Sequence, residues 1–222
     1  MASTINADNG VSSGSAGLKE SADSSGVLAL QTNGTTAVSI DTSQNVLING
    51  ASAVTGAKLS VNGGIQGVIT SGTVVASTSG TSIDFTSIPS WVKRITVQFR
   101  GVSTSAASNI QIQLGSTTFT TSGYTGACVI IGSALGSAVV NSAGLIVVNG
   151  GAAAQYYSGN IMITNISGNN WVSSHSLGRD DGYCLFGGGQ IGLSGVLDRV
   201  RITTVNGTDT FDLGSINILY EG

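Results

Sequence analysis

The stretch "ACVIIGSALGSAVVNSAGLIVV", residues 127–148, decides what kind of fold this chain can have. Taken as one apolar segment it is long enough to cross a bilayer, and Gly132 and Gly136 stand at the small-xxx-small spacing of packed membrane helices. Ser133, Ser137, Asn141 and Ser142 interrupt it, no Lys or Arg marks a cytoplasmic flank, and Gly-rich turns lie on both sides. Taken as "CVII", "AVV" and "LIVV" separated by Gly, Ser and Asn, it is a series of short β-strands. The punctuation favours strands, and no membrane insertion is expected.

Outward from this stretch, no Asp, Glu, Lys or Arg occurs between Arg100 and Arg179. Charged residues make up 9% of the 222, against about a quarter in ordinary domains, so Ser, Thr, Asn, Gln and backbone must solvate the surface. Strands that face a neighbouring subunit or a tight interior have no use for buried charge. Low net charge with 41% hydrophobic residues argues against disorder. The net charge of −3 and the lack of a basic patch exclude nucleic acid as a partner; Lys93, Arg94, Arg100, Arg199 and Arg201 read as solvated strand faces. Cys128 and Cys184 form neither a disulfide framework nor a zinc site; both are expected reduced and buried, with pairing left open. "MASTINADNG" has no basic or apolar signal region, so the start is expected to be kept.

Further along the chain the elements are all β. "WVKRITVQF" (91–99) places Trp91, Lys93, Ile95, Val97 and Phe99 on one face and Val92, Arg94, Thr96 and Gln98 on the other. "NIQIQL", "NIMITNI", "VLDRVRITTV" and "INILY" repeat the theme, and Pro89 closes the connection into the first long strand. Residues 76–222 are expected to form a β-sandwich, jelly-roll-like head that ends on a paired strand. "SAGLKESAD" (15–23) is the one short helical candidate.

Upstream, residues 1–75 hold shorter β runs broken by "NG", "DTSQN" and "NGG". Strands this short bury too little surface to stand alone. If three copies wind about one axis, Leu28, Leu30, Val38, Ile40, Val46, Ile48, Leu59 and Val61 can point inward together. The expectation is an intertwined stem whose core comes from other chains.

The residues Ile40-Asp41-Thr42, Gln44-Asn45-Val46, Lys58-Leu59 and Val61-Asn62-Gly63 follow the pattern "T-ID-S-GNVGIGT-SP-KLDVNG" of shaft-like segments in phage fibres, with "VLINGASAVTGA" replacing the "GIGT-SP" turn. "SIDFTSIPSWVKRITVQFRGVSTS" and "LSGVLDRVRITTVNGTDTFDLGSINILYE" resemble the terminal domain of such fibres. Over nearly its whole length the chain thus resembles phage tail-fibre proteins. The resemblance implies a homotrimeric virion protein made in the bacterial cytoplasm, joined to tail or capsid proteins through its N-terminal region and presenting its head to a host surface glycan or protein. A capsid decoration or head-fibre protein is the alternative of another class, and a polysaccharide-degrading tailspike a third.

Catalytic signals are weak. His175 in "WVSSHSLGRDDG" has serines and aspartates nearby in sequence but no indicated triad geometry, and it reads as a loop or surface histidine. Asp180-Asp181 reads as a polar turn, because adjacent carboxylates do not converge on a sugar. "LFGGGQ" lacks the Lys of a phosphate loop and reads as a flexible tip or tight bend, and no calcium loop is present. No catalytic residue, metal or cofactor is therefore expected. Sugar recognition uses exposed aromatic faces beside polar groups, and Tyr156, Tyr157, Trp171, His175, Arg179, Asp180, Asp181 and Tyr183 concentrate these, making them the receptor-binding candidates. Trp171 and Tyr183 fit either a core or an exposed place, and of the adjacent Tyr156 and Tyr157 a strand can bury only one on a given face.

Overall fold

The computed structural model describes residues 27–32, 35–43, 46–48, 59–61, 69–132 and 135–222. The described residues form strands and turns without a helix, and the candidate at 15–23 lies outside them. No helix among them is long and apolar enough to cross a membrane. The chain divides into two compact units, Met1–Ile65 and Gln66–Gly222.

The first unit holds β1 (Leu28–Thr32), β2 (Thr35–Ile40), β3 (Val46–Ile48) and β4 (Leu59–Val61), hydrogen-bonded in that order. The first two pairings are antiparallel and β3–β4 is parallel. Register aligns Leu28, Ile40, Val46 and Leu59 in one row across the sheet, and Leu30, Val38, Ile48 and Val61 in a second. Cross-strand partners share a face and residues two apart share it too. The aliphatic side chains described in these rows therefore lie together, and Leu30, Ile40 and Ile48 are exposed. Leu47, between Val46 and Ile48, takes the opposite face and is buried.

The second unit holds β5 (Thr70–Ser71), β6 (Val75–Ala76), β7 (Ser82–Thr86), β8 (Arg94–Thr104), β9 (Ile110–Ser116), β10 (Thr118–Phe119) and β11 (Thr125–Ile131). It continues with β12 (Leu135–Val140), β13 (Leu145–Ile146), β14 (Tyr157–Ser167), β15 (Asn170–Arg179), β16 (Cys184–Gly192), β17 (Arg199–Thr204) and β18 (Phe211–Glu221). The larger sheet runs β12-β11-β16-β15-β14-β8-β18-β5, with β6 also on β18; the smaller runs β10-β9-β17-β7, with β13 on β9. Residues 70, 71 and 75, expected at the end of the stem, lie in the larger sheet of the second unit, where 70–71 and 75–76 pair with β18. The uncharged stretch at 127–148 is β11, β12 and β13, as its Gly, Ser and Asn breaks indicate.

Alternation explains the core. Ile95, Val97 and Phe99 of β8 point inward with Ile161 and Ile163 of β14 and Ile216 and Ile218 of β18. Ile110, Ile112 and Leu114 of β9 and Val200 and Ile202 of β17 belong to the same buried cluster, so the two sheets share one core. Each such side chain contributes roughly 1.5–3 kcal/mol when removed from water. Strand β9 departs from simple alternation: Gln111 and Gln113 are buried as well. The chain at 141–144 covers them, with Gln113 Nε2 donating to Ala143 O at 3.0 Å and Asn141 Nδ2 donating to Gln111 Oε1. Tyr124 ties the β10–β11 connection to the same strand, its hydroxyl accepting from Leu114 N at 2.7 Å; burial pushes that phenol up to about 12.

Candidate functional site

The segment "GRDDG" makes the β15–β16 hairpin turn, which is what its two aspartates and two glycines favour. Gly182 carries the positive φ of 88° that the turn requires and donates to Arg179 O at 3.1 Å. Arg179 then organises the turn. Its guanidinium grips Asp181 through two hydrogen bonds of 2.7 and 2.8 Å, donates to Gly150 O at 3.0 Å, and lies 4.3 Å over the Tyr183 ring. That grip holds the Asp181 carboxyl below its ordinary range. Asp180 engages the neighbouring strand start: its Oδ1 accepts from Tyr156 N at 3.1 Å and its own N–H donates to Tyr156 O at 3.3 Å. Tyr183 lies close over Gly132, where any Cβ would collide with the ring.

Tyr156, Arg179, Asp180, Asp181 and Tyr183 are thereby brought together at one end of the larger sheet. The adjacent tyrosines separate as a strand demands, with Tyr156 43% exposed and Tyr157 only 1%. Each aspartate already has a partner of its own, so the two do not converge on a common point. The ensemble presents one aromatic face beside a carboxylate and an arginine, a surface suited to stacking and hydrogen bonding.

Tyr157 is buried beside Arg179, its hydroxyl donating to the same Gly150 O that accepts from the guanidinium, and two other candidates lie elsewhere. Trp171 is buried, and its Nε1 has no partner. His175 is neither in a loop nor on the surface: it sits mid-strand on β15, 7% exposed, facing the core. Ser174 and Ser176 therefore point to the opposite face of the sheet. Room for the imidazole comes from Gly187 directly across on β16, where a Cβ would lie 2.4 Å from His175 Cε1. Its Nε2 reaches Cys128 Sγ at 3.4 Å while Nδ1 has no partner, so no carboxylate orients the ring. Burial lowers the imidazole to about 4 and raises the Cys128 thiol to about 12, leaving both neutral near pH 7.

Two further expectations are corrected. The glycines of "LFGGGQ" form no tip or bend: they lie within β16, where Gly187, Gly188 and Gly189 let β11 and β15 approach more closely than side chains permit. Cys184 is exposed, because it takes the outward face of β16 while Leu185 takes the inward one. Among the described residues no three His, Cys, Asp or Glu side chains stand together as metal ligands would.

The sequence reading missed a concavity of about 470 Å³ on the outward face of β14, β8 and β18, bordered by Gln98, Arg100, Asn160 and Asn217. Its residues come from three strands far apart in the chain, so no local cluster betrays it. The one available signal was Arg100, the last charge before the long uncharged stretch. Comparison of the chain with models of protein families, with curated proteins and with solved structures finds no match.

Proposed function

We propose that this chain is the protomer of a short homotrimeric fibre on a phage particle, joined to other virion proteins through its N-terminal region and binding a host surface glycan through its head. The observation that carries the reading is the stem sheet, whose register aligns eight aliphatic positions in two rows while Leu30, Ile40 and Ile48 stay 36–48% exposed in the single chain. An apolar row of that kind is costly in water and is relieved when copies of the same sheet meet. Three copies about one axis give each row a partner and convert a ribbon into a core. The shaft-like motif in the sequence supports the same arrangement. The head supports attachment over catalysis, since its polar residues at the 179–183 turn are already paired and offer an aromatic and hydrogen-bonding surface. Three such surfaces on one fibre raise weak single-site affinity through avidity.

Light scattering on the full chain tests the assembly: the expected mass is three times the 22.1 kDa of one chain. A folded monomer at that length overturns the stem. Free protein is expected to adsorb to host cells and block infection; adsorption to capsids instead identifies a decoration protein.

A further inference from the structure

We propose that the basin on the outward face of the larger head sheet, centred on Arg100, Gln98 and Asn160, binds a carboxylated sugar. The proposal rests on the glycan-binding reading and names both a second place for it and the chemistry of the ligand.

Shape comes first. Strands β14, β8 and β18 are neighbours, and each pairing breaks register at the same level: between Tyr157 and Gly159 on β14, and between Leu213 and Ser215 on β18. Gly159, Gly101 and Gly214 meet these breaks with φ of 145°, 61° and 91°. Bulges bend the strand that carries them and re-aim side chains, and here three adjacent strands bend together. At the edge of the sheet the chain leaves β18 between β5 and β6, placing Val74, 59% exposed, on the rim. The open concavity's volume of about 470 Å³ falls within the range of small-ligand sites.

The lining supplies the chemistry. Asn160, Gln98 and Asn217 are cross-strand partners in one row, so three carboxamides stand side by side. Asn217 Nδ2 donates to Ser71 Oγ at 3.1 Å, which fixes its plane. Among the described residues none hydrogen-bonds the side chains of Gln98 and Asn160. A carboxamide offers a donor and an acceptor together, the pair that adjacent sugar hydroxyls answer. Of the five arginines, Arg94, Arg179, Arg199 and Arg201 are held in ion pairs. Arg100 has no such partner among the described residues, and no acidic residue is among those lining the basin. A free guanidinium beside unsatisfied amides matches a ligand with one carboxylate and several hydroxyls. The turn at 179–183 differs on this point, because its arginine is spent on Asp181, Gly150 and Tyr183.

Saturation-transfer NMR on the full chain tests the assignment, with glucuronic, galacturonic and N-acetylneuraminic acids against glucose and galactose. The acids are expected to bind and the neutral sugars to bind at least tenfold more weakly, the scale of one charge-assisted contact. Arg100→Ala and Asn160→Asp should each weaken acid binding by a similar factor with the circular dichroism spectrum unchanged, whereas Tyr156→Ala should leave it intact. Should Arg100→Ala fail to fold, Asn160→Asp and Gln98→Glu read the same site by repulsion. Neutral sugars bound as well as acids, or acid binding that survives these variants, overturns the basin while the glycan reading stands. Displacement of the acids by equimolar sulfate overturns the sugar assignment in favour of a plain anion site. Binding of no sugar at all, with no adsorption of free protein to cells, overturns both readings together.

Discussion

Ile40 and Ile48 of the N-terminal unit are 36% and 38% exposed, whereas Ile95, Ile161 and Ile202 of the C-terminal unit have no exposed surface. All five sit in strands at alternating positions, so the local rule that placed them is the same. What differs is the second layer. The head folds a smaller sheet over the larger one and closes its core within one chain. Among the described residues of the N-terminal unit there is a single four-stranded sheet. Alternation thus sets which face is apolar, and only the number of layers sets whether one chain suffices.

The sharpest way to break this comparison is to charge the N-terminal sheet. Ile40→Asp with Ile48→Asp places carboxylates in both aliphatic rows, where burial without a partner is prohibitive. On the proposed trimeric reading, association is abolished, read as a fall in solution mass to a single chain, while the melting of the C-terminal unit stays where it was. Loss of the head's melting transition in the same variant would show that the two units do not differ as described.

Acid separates the units next. The folded head keeps His175 neutral with its imidazole lowered to about 4, while the unfolded chain takes up that proton below about 6.5. The unfolded state therefore binds more protons between those values, and head stability is full above pH 6.5 and declines as pH falls toward 4. The loss amounts to about 3 kcal/mol over that window. The nearest ionisable neighbour, Cys128, stays a neutral thiol throughout. Urea unfolding of the head at pH 7 and pH 4 measures the difference, and a His175→Gln head should show a smaller one. The aliphatic rows of the stem contain no titratable side chain, so association should change less over the same interval.

The smallest effect sharpens the account of the head alone. Tyr124→Phe removes the hydroxyl that accepts from Leu114 N and leaves that buried N–H without this bond. A loss of about 1–3 kcal/mol in unfolding free energy is expected. A neutral result would mean that the β10–β11 connection is held by packing alone.

Much of the fold was legible because the signals were periodic. The alternation at 91–99 put Ile95, Val97 and Phe99 on one face, which the structure buries, and the breaks in 127–148 marked three strands. The "GRDDG" turn followed from residue types with local preferences. His175 was misplaced because its polarity outweighed its position: Ile161 beside it on β14 and the missing side chain of Gly187 on β16 make an inward place that only the pairing reveals. The glycines of β16 were misread for the same reason, since a glycine run marks a bend or a close approach and sequence does not distinguish them. Of the eight attachment candidates the turn gathers five, with the buried Tyr157 against its Arg179, and the basin at Arg100 escaped because cross-strand register assembled it from three distant segments.

The interrupted pairing of β5 and β6 has a consequence for assembly. Each offers two residues, Gly72 still donates to Ile218 O, and Thr73 and Val74 interrupt the pairing before β6, so this margin of the large sheet presents no continuous ladder of free amides and carbonyls. A long straight margin invites strands from other molecules and runaway sheet growth. Here an incoming strand would find only two-residue footholds, and copies crowded together are steered away from polymerising through backbone and toward meeting through side-chain faces.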